Sequence, residues 1–466
     1  MAQMNSPEAP VIDLTPVDLD EQIRSLLGKQ HHEHLRRLLA DQYPQDIADV
    51  LERFTDPEER RAVFAQLQPY VAAEVIEEVS HYTARQLVMT MSADSAGVLL
   101  RNMEIDDIVE ILGNELRDRQ EEALGQLDPT LAQAIRTLLS YPKNSAGRLL
   151  TPKFVRASPE MTAAEVLQYI RTHDQEYETV SDVYVLDADE RLIGVASLRE
   201  VLREDPAAAI ATFMEPDPIS VLPETRGEDA ARMLGRYDFL ALPVVDADGK
   251  MLGIITVDDA IDVLTEAQTQ DVLSIGGLPG EAAAGAYFTV PIFKVIRQRL
   301  VWLILLFVGG SITSGVLEAF SMELGAVVAL SFYIPLLIGT GGNTGSQTVS
   351  MIIRGMTTDD IRQSDVLRVV RRELISGVIL GVLLGLIAYG RVLLQEGGST
   401  ALPLVVGASV IAVCAWSNVI AAVIPMLARR FKIDPALISA PLISTTVDAT
   451  GLLIYMLIAK ALLTGI

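Results

Sequence analysis

The sequence predicts a multidomain membrane protein: an all-α superhelical N-terminal domain, an α/β tandem repeat and a long connecting helix, followed by a five-helix transmembrane domain. Three observations predict it. Charge and hydropathy separate along the chain: the net charge is −24 with half of the residues apolar, yet from Pro291 onward 13 Lys and Arg outnumber 9 Asp and Glu. The acidic excess therefore belongs to the first 290 residues. A segment that begins at Leu150 recurs 64 residues later. From Leu300 the chain consists largely of uncharged runs long enough to cross a bilayer as helices.

So acidic a body argues against nucleic-acid partners and suits the collection of divalent cations, with a plain solvated surface as the alternative. Cys414 is the single cysteine, so there is no disulfide framework and no cysteine metal site. The start lacks a basic region followed by an apolar one, which leaves the acidic half expected in the cytoplasm.

Residues 1–17 are Pro-rich and acidic and read as a disordered lead. Residues 18–148 read as an acidic helical domain. Ile47-Ala48-Asp49-Val50-Leu51-Glu52 is echoed by Ala72-Ala73-Glu74-Val75-Ile76-Glu77 and, more weakly, by Ser95 to Leu100, the mark of stacked helix pairs. Pro44, Asp56-Pro57-Glu58-Glu59 and Asp128-Pro129 mark helix starts. His31-His32-Glu33-His34 diverge around a helix and read as a solvated face rather than a metal site. Asp106, Asp107 and Glu110 share one turn, with Asp106 and Glu110 pointing the same way. They are candidate divalent-ion ligands or, more simply, an acidic first turn favoured by the helix dipole.

Residues 149–256 hold the repeat. Val185 to Val195 is matched by Val244 to Ile254, each a β-branched strand, an Asp-x-Asp turn and a second strand that reaches Gly194 or Gly253. An insertion falls near Thr172 to Glu178. The pattern resembles a tandem pair of cystathionine-β-synthase-type (CBS) modules, which implies a compact regulatory unit with nucleotide or ion sites. Thr256 and Asp259 resemble the Thr-x-x-Asp pattern that holds a ribose in such modules and are candidate nucleotide-binding residues for ATP, although helix capping alone explains the pair. Ser197 and Glu200 are the weaker match in the first copy.

Residues 257–290 form a connecting helix and linker. Asp258, Asp262 and Glu266 recur every four residues as one carboxylate stripe, with Asp259 beside them and Asp271 further on, and no Lys or Arg interspersed. Unpaired like charges repel unless cations screen them, which is the physical basis of a cation-operated switch.

In residues 291–466 the uncharged runs are Leu300–Leu317, Leu324–Ile353, Leu374–Gly390 and Gly397–Ala428, followed by a segment from Pro435 to Ala459. Basic residues collect before the first span and in the connections after the second and fourth, so the positive-inside rule places the N-terminus in the cytoplasm and the C-terminus outside. The Gly-rich Gly339 to Gln347 lacks the Lys of a phosphate loop and reads as close helix packing or a local break. Asp448 sits near the middle of the last span, where a lone carboxylate costs about 2.5–3.5 kcal/mol and calls for a polar cavity or an ion. Ser444, Asp448, Gly451 and Tyr455 share its face. Asn418 in the fourth span is a further polar candidate.

Taken in this order, with Gly341-Gly342-Asn343-Thr344-Gly345, Asp434-Pro435-Ala436-Leu437 and Asp448-Ala449-Thr450-Gly451-Leu452-Leu453-Ile454-Tyr455, the chain resembles the MgtE family of magnesium channels and transporters. The resemblance implies a homodimer in the cell inner membrane whose pore binds hydrated Mg2+ at Asp448, and which cytosolic Mg2+ closes by bridging the soluble domains. It implies regulatory sites at Asp106, Glu110, Glu228, Asp238, Asp259, Asp262 and Asp271. Ala267 and Gln270 stand where the family pattern expects acids. Mn2+ and Co2+ are alternative ions. A Na+- or H+-coupled exchanger and a nucleotide-sensing regulator without a pore are the competing readings, and no nucleophile or acid/base constellation suggests an enzyme.

Overall fold

The computed structural model describes residues 17–113, 117–173, 177–277, 289–358, 360–395, 401–431 and 438–463. The lead expected from the sequence, up to residue 16, the centre of the predicted insertion, most of the linker after the connecting helix, and Asp434 to Leu437 lie outside them. The chain divides into two compact units, one built by residues up to Ala267 and one by Gln268–Ala284 with Pro291–Ile466.

The first unit begins with short helices: α1 Val17–Gly28, α2 His32–Ala40, α3 Pro44–Arg53, α4 Pro57–Phe64, α5 Pro69–Glu78, α6 His81–Thr90, α7 Ala93–Leu100, α8 Ile105–Leu112, α9 Arg117–Leu124, α10 Pro129–Ser140 and α11 Ala146–Leu149. Proline opens α3, α4, α5 and α10, where its missing N–H is not needed. Asp56 and Asp128 cap two of these starts by accepting the Glu58 and Thr130 amides at 2.9 and 2.8 Å. The repeat signal is a packing signal. Ile47, Ala48, Val50 and Leu51 of α3 and Ala72, Ala73, Val75 and Ile76 of α5 are the buried positions of helices that stack on one another. Arg60 is buried beneath this stack. Its guanidinium donates to the carbonyls of Leu51 and Phe54, which end α3, at 3.2 and 2.6 Å.

The tandem repeat follows. Its first copy has β1 Phe154–Ala157, α12 Ala163–His173, β2 Thr179–Leu186, β3 Leu192–Ser197 and α13 Leu198–Arg203, with β4 Glu215–Pro216 completing a four-stranded sheet in the order β1-β2-β3-β4. The second has α14 Gly227–Tyr237 and the antiparallel hairpin β5 Ala241–Val245 and β6 Met251–Thr256. The two Asp-x-Asp turns are chemically the same. Asp187 Oδ1 accepts the amides of Asp189 and Arg191 at 2.9 and 2.8 Å, and Asp246 Oδ1 those of Asp248 and Lys250, both at 2.9 Å. Arg148 ties the repeat to the helical stack: it donates to the carbonyls of Tyr141, Gly113 and Leu139, each at 2.9 Å.

Helix α15, Val257–Ile275, is the expected connecting helix and runs from the first unit into the second. Ile275 packs against the second unit's cluster of Val349, Ile353, Ala421, Ile443 and Val447. The chain turns at Gly277, whose φ of +77° favours glycine and whose missing Cβ leaves room for Trp302.

The second unit holds α16 Ile292–Ala319, α17 Ser321–Ala326, α18 Ala329–Thr357, α19 Val366–Gln395, α20 Ala401–Arg430 and α21 Ala440–Leu462. Among the described residues four helices, α16, α19 with its short 3-10 lead, α20 and α21, are long and apolar enough to cross a membrane. This corrects the expected five. Helix α18 has the length, 29 residues, but the polar run Gly339–Gln347 dilutes its apolar character. That run is not a break: the helix is continuous through it. A Cβ on Gly341 would lie 2.7 Å from Val413 and 2.9 Å from Val447, and one on Gly345 would lie 2.6 Å from Ser417 Oγ. Small residues thus let α18 close on α20 and α21. Gly377, Gly381 and Gly385 do the same for α19, where a Cβ would come within 2.8 Å of Cys414 O, Ile411 Cα and Gly407 O.

Candidate metal centres

Asp448 stands midway along α21, where α21 meets α18. The absent side chain of Gly342 lets α18 come close to it: a Cβ there would lie 2.6 Å from Ser444 Oγ and 3.5 Å from Asp448 Oδ1. Ser444 and Asp448 are thus brought together, each half-buried, and among the described residues no Lys, Arg or His forms an ion pair with Asp448. The surrounding donors are small: Thr445, Thr446 and Thr450 spend their hydroxyls on carbonyls one turn back in the same helix. Such a place presents one carboxylate and few competing ligands, which suits an ion that keeps its water shell.

Asn418 is set apart from this face. It is 1 % exposed on α20, and its amide donates to the Glu373 carbonyl at 3.2 Å and to Glu373 Oε2 at 3.3 Å. Its neighbour Ser417 instead faces α18 and donates to the Gly341 carbonyl at 2.6 Å. Glu373 was not foreseen as a bundle residue, because it lies one residue before an uncharged run and reads as part of a charged connection.

The second centre is a crowd of acids in the first unit. Helix α8 buries Ile105, Ile108, Val109 and Leu112 and carries Asp106 inward with them, 7 % exposed. Glu104, Asp106 and Asp107 each offer a carboxylate oxygen within 4.8 Å of the others, and Asp106 Oδ1 is buried without a hydrogen-bond partner. Burial, and then the charges of Asp259 and Asp107, hold the Asp106 carboxyl well above the usual range. Burial followed by Glu77 and Asp259 pushes Asp107 up to about 9, and burial raises Glu77 to about 7. Glu104 is raised by burial and by a hydrogen bond with Glu178. An all-oxygen donor set with an orphaned buried oxygen fits a hard divalent cation, which would neutralise charges that otherwise repel.

Next to it, His81 Nε2 at the start of α6 lies 3.0 Å from Glu110 Oε1 and 3.3 Å from Glu266 Oε2. The hydrogen bond to Glu266 pushes the imidazole up to about 9. Burial raises Glu110.

Of the residues singled out from the sequence, Asp106, Glu110, Asp259, Asp262 and Glu266 meet here. Asp259 accepts Thr256 Oγ1 at 2.5 Å and adds its charge to Asp106 and Asp107, and Asp262 adds its own to His81. Asp258 stays exposed beside them. Asp271 lies in the second unit. Glu228 is held elsewhere by Arg226 and Arg232 at 2.9 and 2.5 Å. Asp238 ends α14 in a left-handed conformation, φ 57°, and with Ser197, Arg199, Arg203 and Phe239 lines a cavity of about 750 Å³ that Thr256 and Asp259 do not line. Glu77, His81, Glu104 and Glu178 were not anticipated: they carry no spacing signal, since only folding assembles them.

A family model described as MgtE, divalent cation transporter, matches residues 334–458. The MgtE intracellular N domain matches 42–144, and CBS domains match 146–207 and 210–266. The magnesium transporter MgtE of Thermus thermophilus is 39 % identical over 437 residues, covering 93 % of this chain and 96 % of that protein. The protein of the same name from Bacillus subtilis is 31 % identical over 359 residues, or 76 % and 78 % of the two chains. Among solved structures, the cytosolic domain of the Mg2+ channel MgtE in complex with ATP aligns with a TM-score of 0.49 at 31 % identity, covering 52 % of this chain and 99 % of that one.

Proposed function

This chain belongs to the MgtE family of divalent cation transporters, and from that premise we propose that it carries Mg2+ across the membrane past Asp448 and that the acidic face around α8 and α15 regulates the passage. The observation that carries the first part is Asp448 itself: a carboxylate in an apolar helix, faced by Gly342 and Ser444 and paired with no cationic side chain among the described residues. A membrane potential of 100 mV favours entry of a divalent ion by about 4.6 kcal/mol, twice the single-charge figure, so a conductive path needs no further energy source. The small hydroxyl and carbonyl groups nearby suit a hydrated ion better than a dry cage.

Regulation follows from the crowding at Asp106, Asp107 and Asp259. With a divalent ion bound their charges are compensated and α15 is held against α8; without it they repel. Helix α15 continues to Ile275, which packs against a cluster contributed by α18, α20 and α21, so its position bears on the path. The basic residues around Lys294, Arg297, Arg354, Arg371 and Arg429 support placing the soluble unit in the cytoplasm. The exposed apolar side chains of α16, Phe293 and Phe307 among them, suit lipid or a second copy in a homodimer. A nucleotide such as ATP would take the cavity lined by Arg199, Arg203 and Phe239.

The test is Mg2+ uptake into proteoliposomes that hold the full chain, under an imposed potential and without Na+ or H+ gradients. Asp448→Ala should reduce uptake to the level of empty vesicles. Uptake that survives the substitution removes Asp448 from the path, and wild-type uptake that appears only with a Na+ or H+ gradient favours a coupled exchanger.

A further inference from the structure

We propose that His81, Glu110 and Glu266 form a metal site of a different class from the all-oxygen acids beside it, one that takes an imidazole-seeking divalent ion such as Zn2+ or Co2+ in preference to Mg2+. One ligand atom from each residue lies within 4.8 Å of the other two. Two of the separations, 3.0 Å from His81 Nε2 to Glu110 Oε1 and 3.3 Å to Glu266 Oε2, come near what such an ion demands once it replaces the imidazole proton. Bonds of about 2.0–2.2 Å at tetrahedral angles set neighbouring ligand atoms about 3.4 Å apart. Mg2+ prefers oxygen donors and near-octahedral geometry, whereas a nitrogen with two carboxylates suits Zn2+ and Co2+.

The fold prepares the three groups independently. Ser80 caps α6 by accepting the Thr83 amide at 3.4 Å, which fixes the turn from which His81 projects. Glu110 comes from α8, one turn beyond Asp106, and Glu266 from α15, one turn beyond Asp262. All three side chains keep partial exposure, 58 % for His81, 45 % for Glu110 and 39 % for Glu266, so an ion can enter and retain a water in the fourth position. An ion there would join the helical domain to the connecting helix, as Mg2+ is proposed to do at the neighbouring acids. The inference rests on that reading only in sharing Glu110 and α15 with it.

The full chain in detergent, held in saturating Mg2+ to fill the all-oxygen sites, is titrated with Co2+ and followed by calorimetry and by visible ligand-field absorption. Wild type should bind Co2+ with the intense bands of a four-coordinate ion, and His81→Ala, His81→Asp and Glu266→Gln should each weaken that binding by about tenfold or more. Asp106→Asn should keep the Co2+ bands while losing stabilisation by Mg2+, which separates failure of this site from failure of the Mg2+ face. Equal Co2+ affinity in wild type and His81→Ala overturns the proposal. So does Co2+ binding that disappears only when His31 and His34 are replaced, or that excess Mg2+ displaces from wild type.

Discussion

At Asp106 burial and charge work against each other. The residue sits in the first turn of α8, where the helix dipole favours an anion, but it is 7 % exposed, has an unpartnered Oδ1 and faces Asp107 and Asp259. A native fold tolerates this when the group is needed for binding rather than for stability. Asp106→Asn keeps the shape and removes the charge. In chelator at neutral pH the variant should melt higher than wild type, by about 2–4 °C for each kcal/mol regained, and should gain less from added Mg2+. A variant that melts lower in chelator, with an unchanged response to Mg2+, would make Asp106 a structural residue. Asp448 differs in kind: among the described residues no ion pair reaches it, and Gly342 lets α18 approach it closely.

At the scale of the element, α15 is the part on which the regulatory reading depends. It carries Asp258, Asp259, Asp262 and Glu266 without a single basic residue, and packs at its far end through Ile275. Like charges spaced four apart on one helix stripe cost a few tenths of a kcal/mol per pair, and on this stripe Glu266 meets a cationic group, His81. Replacing Asp258, Asp259 and Asp262 together by Asn should leave Mg2+ uptake intact and shift its inhibition by internal Mg2+ to higher concentration. An unchanged inhibition curve would remove α15 from the switch. Helix α18 makes the complementary point. Its glycines lower its hydropathy below that of its neighbours, and the same glycines let it close on α20 and α21.

For the molecule as a whole, the raised groups give stability a pH dependence of definite sign. Asp106, Asp107, Glu77, Glu104 and Asp259 have folded values above their ordinary ones, so the fold is favoured while they are protonated and loses stability as pH rises through the folded values, about 7 for Glu77 and about 9 for Asp107. His81 acts in the same direction: its contribution is complete below its ordinary 6.5 and is lost as pH rises through about 9. In chelator, the thermal midpoint of the soluble unit should therefore fall from about pH 5 to about pH 9, and saturating Mg2+ should flatten the decline by taking the protons' place. A midpoint that rises with pH in chelator would show that these acids do not share a buried face. Equal ionic strength of Na+ should flatten it far less, because buried charges are poorly screened.

The sequence by itself determined what repeats or alternates. Proline and Asp placed the starts of α3, α4 and α10, the Asp-x-Asp turns placed both hairpins, unbroken acidity along a helical period placed α15, and an acid in an apolar run placed Asp448. Each of these is a local signal, carried by residues within a few turns of one another. Only the tertiary structure decided which acids meet. It brought Asp259 to Asp106 and Glu266 to His81, left Glu228 with two arginines and Asp238 at a separate cavity, and turned Asn418 toward Glu373. It also turned the polar run of α18 into a packing surface. The reason is physical: periodicity fixes which face of a helix a side chain occupies, but the partner on that face comes from a distant part of the chain and is chosen by packing.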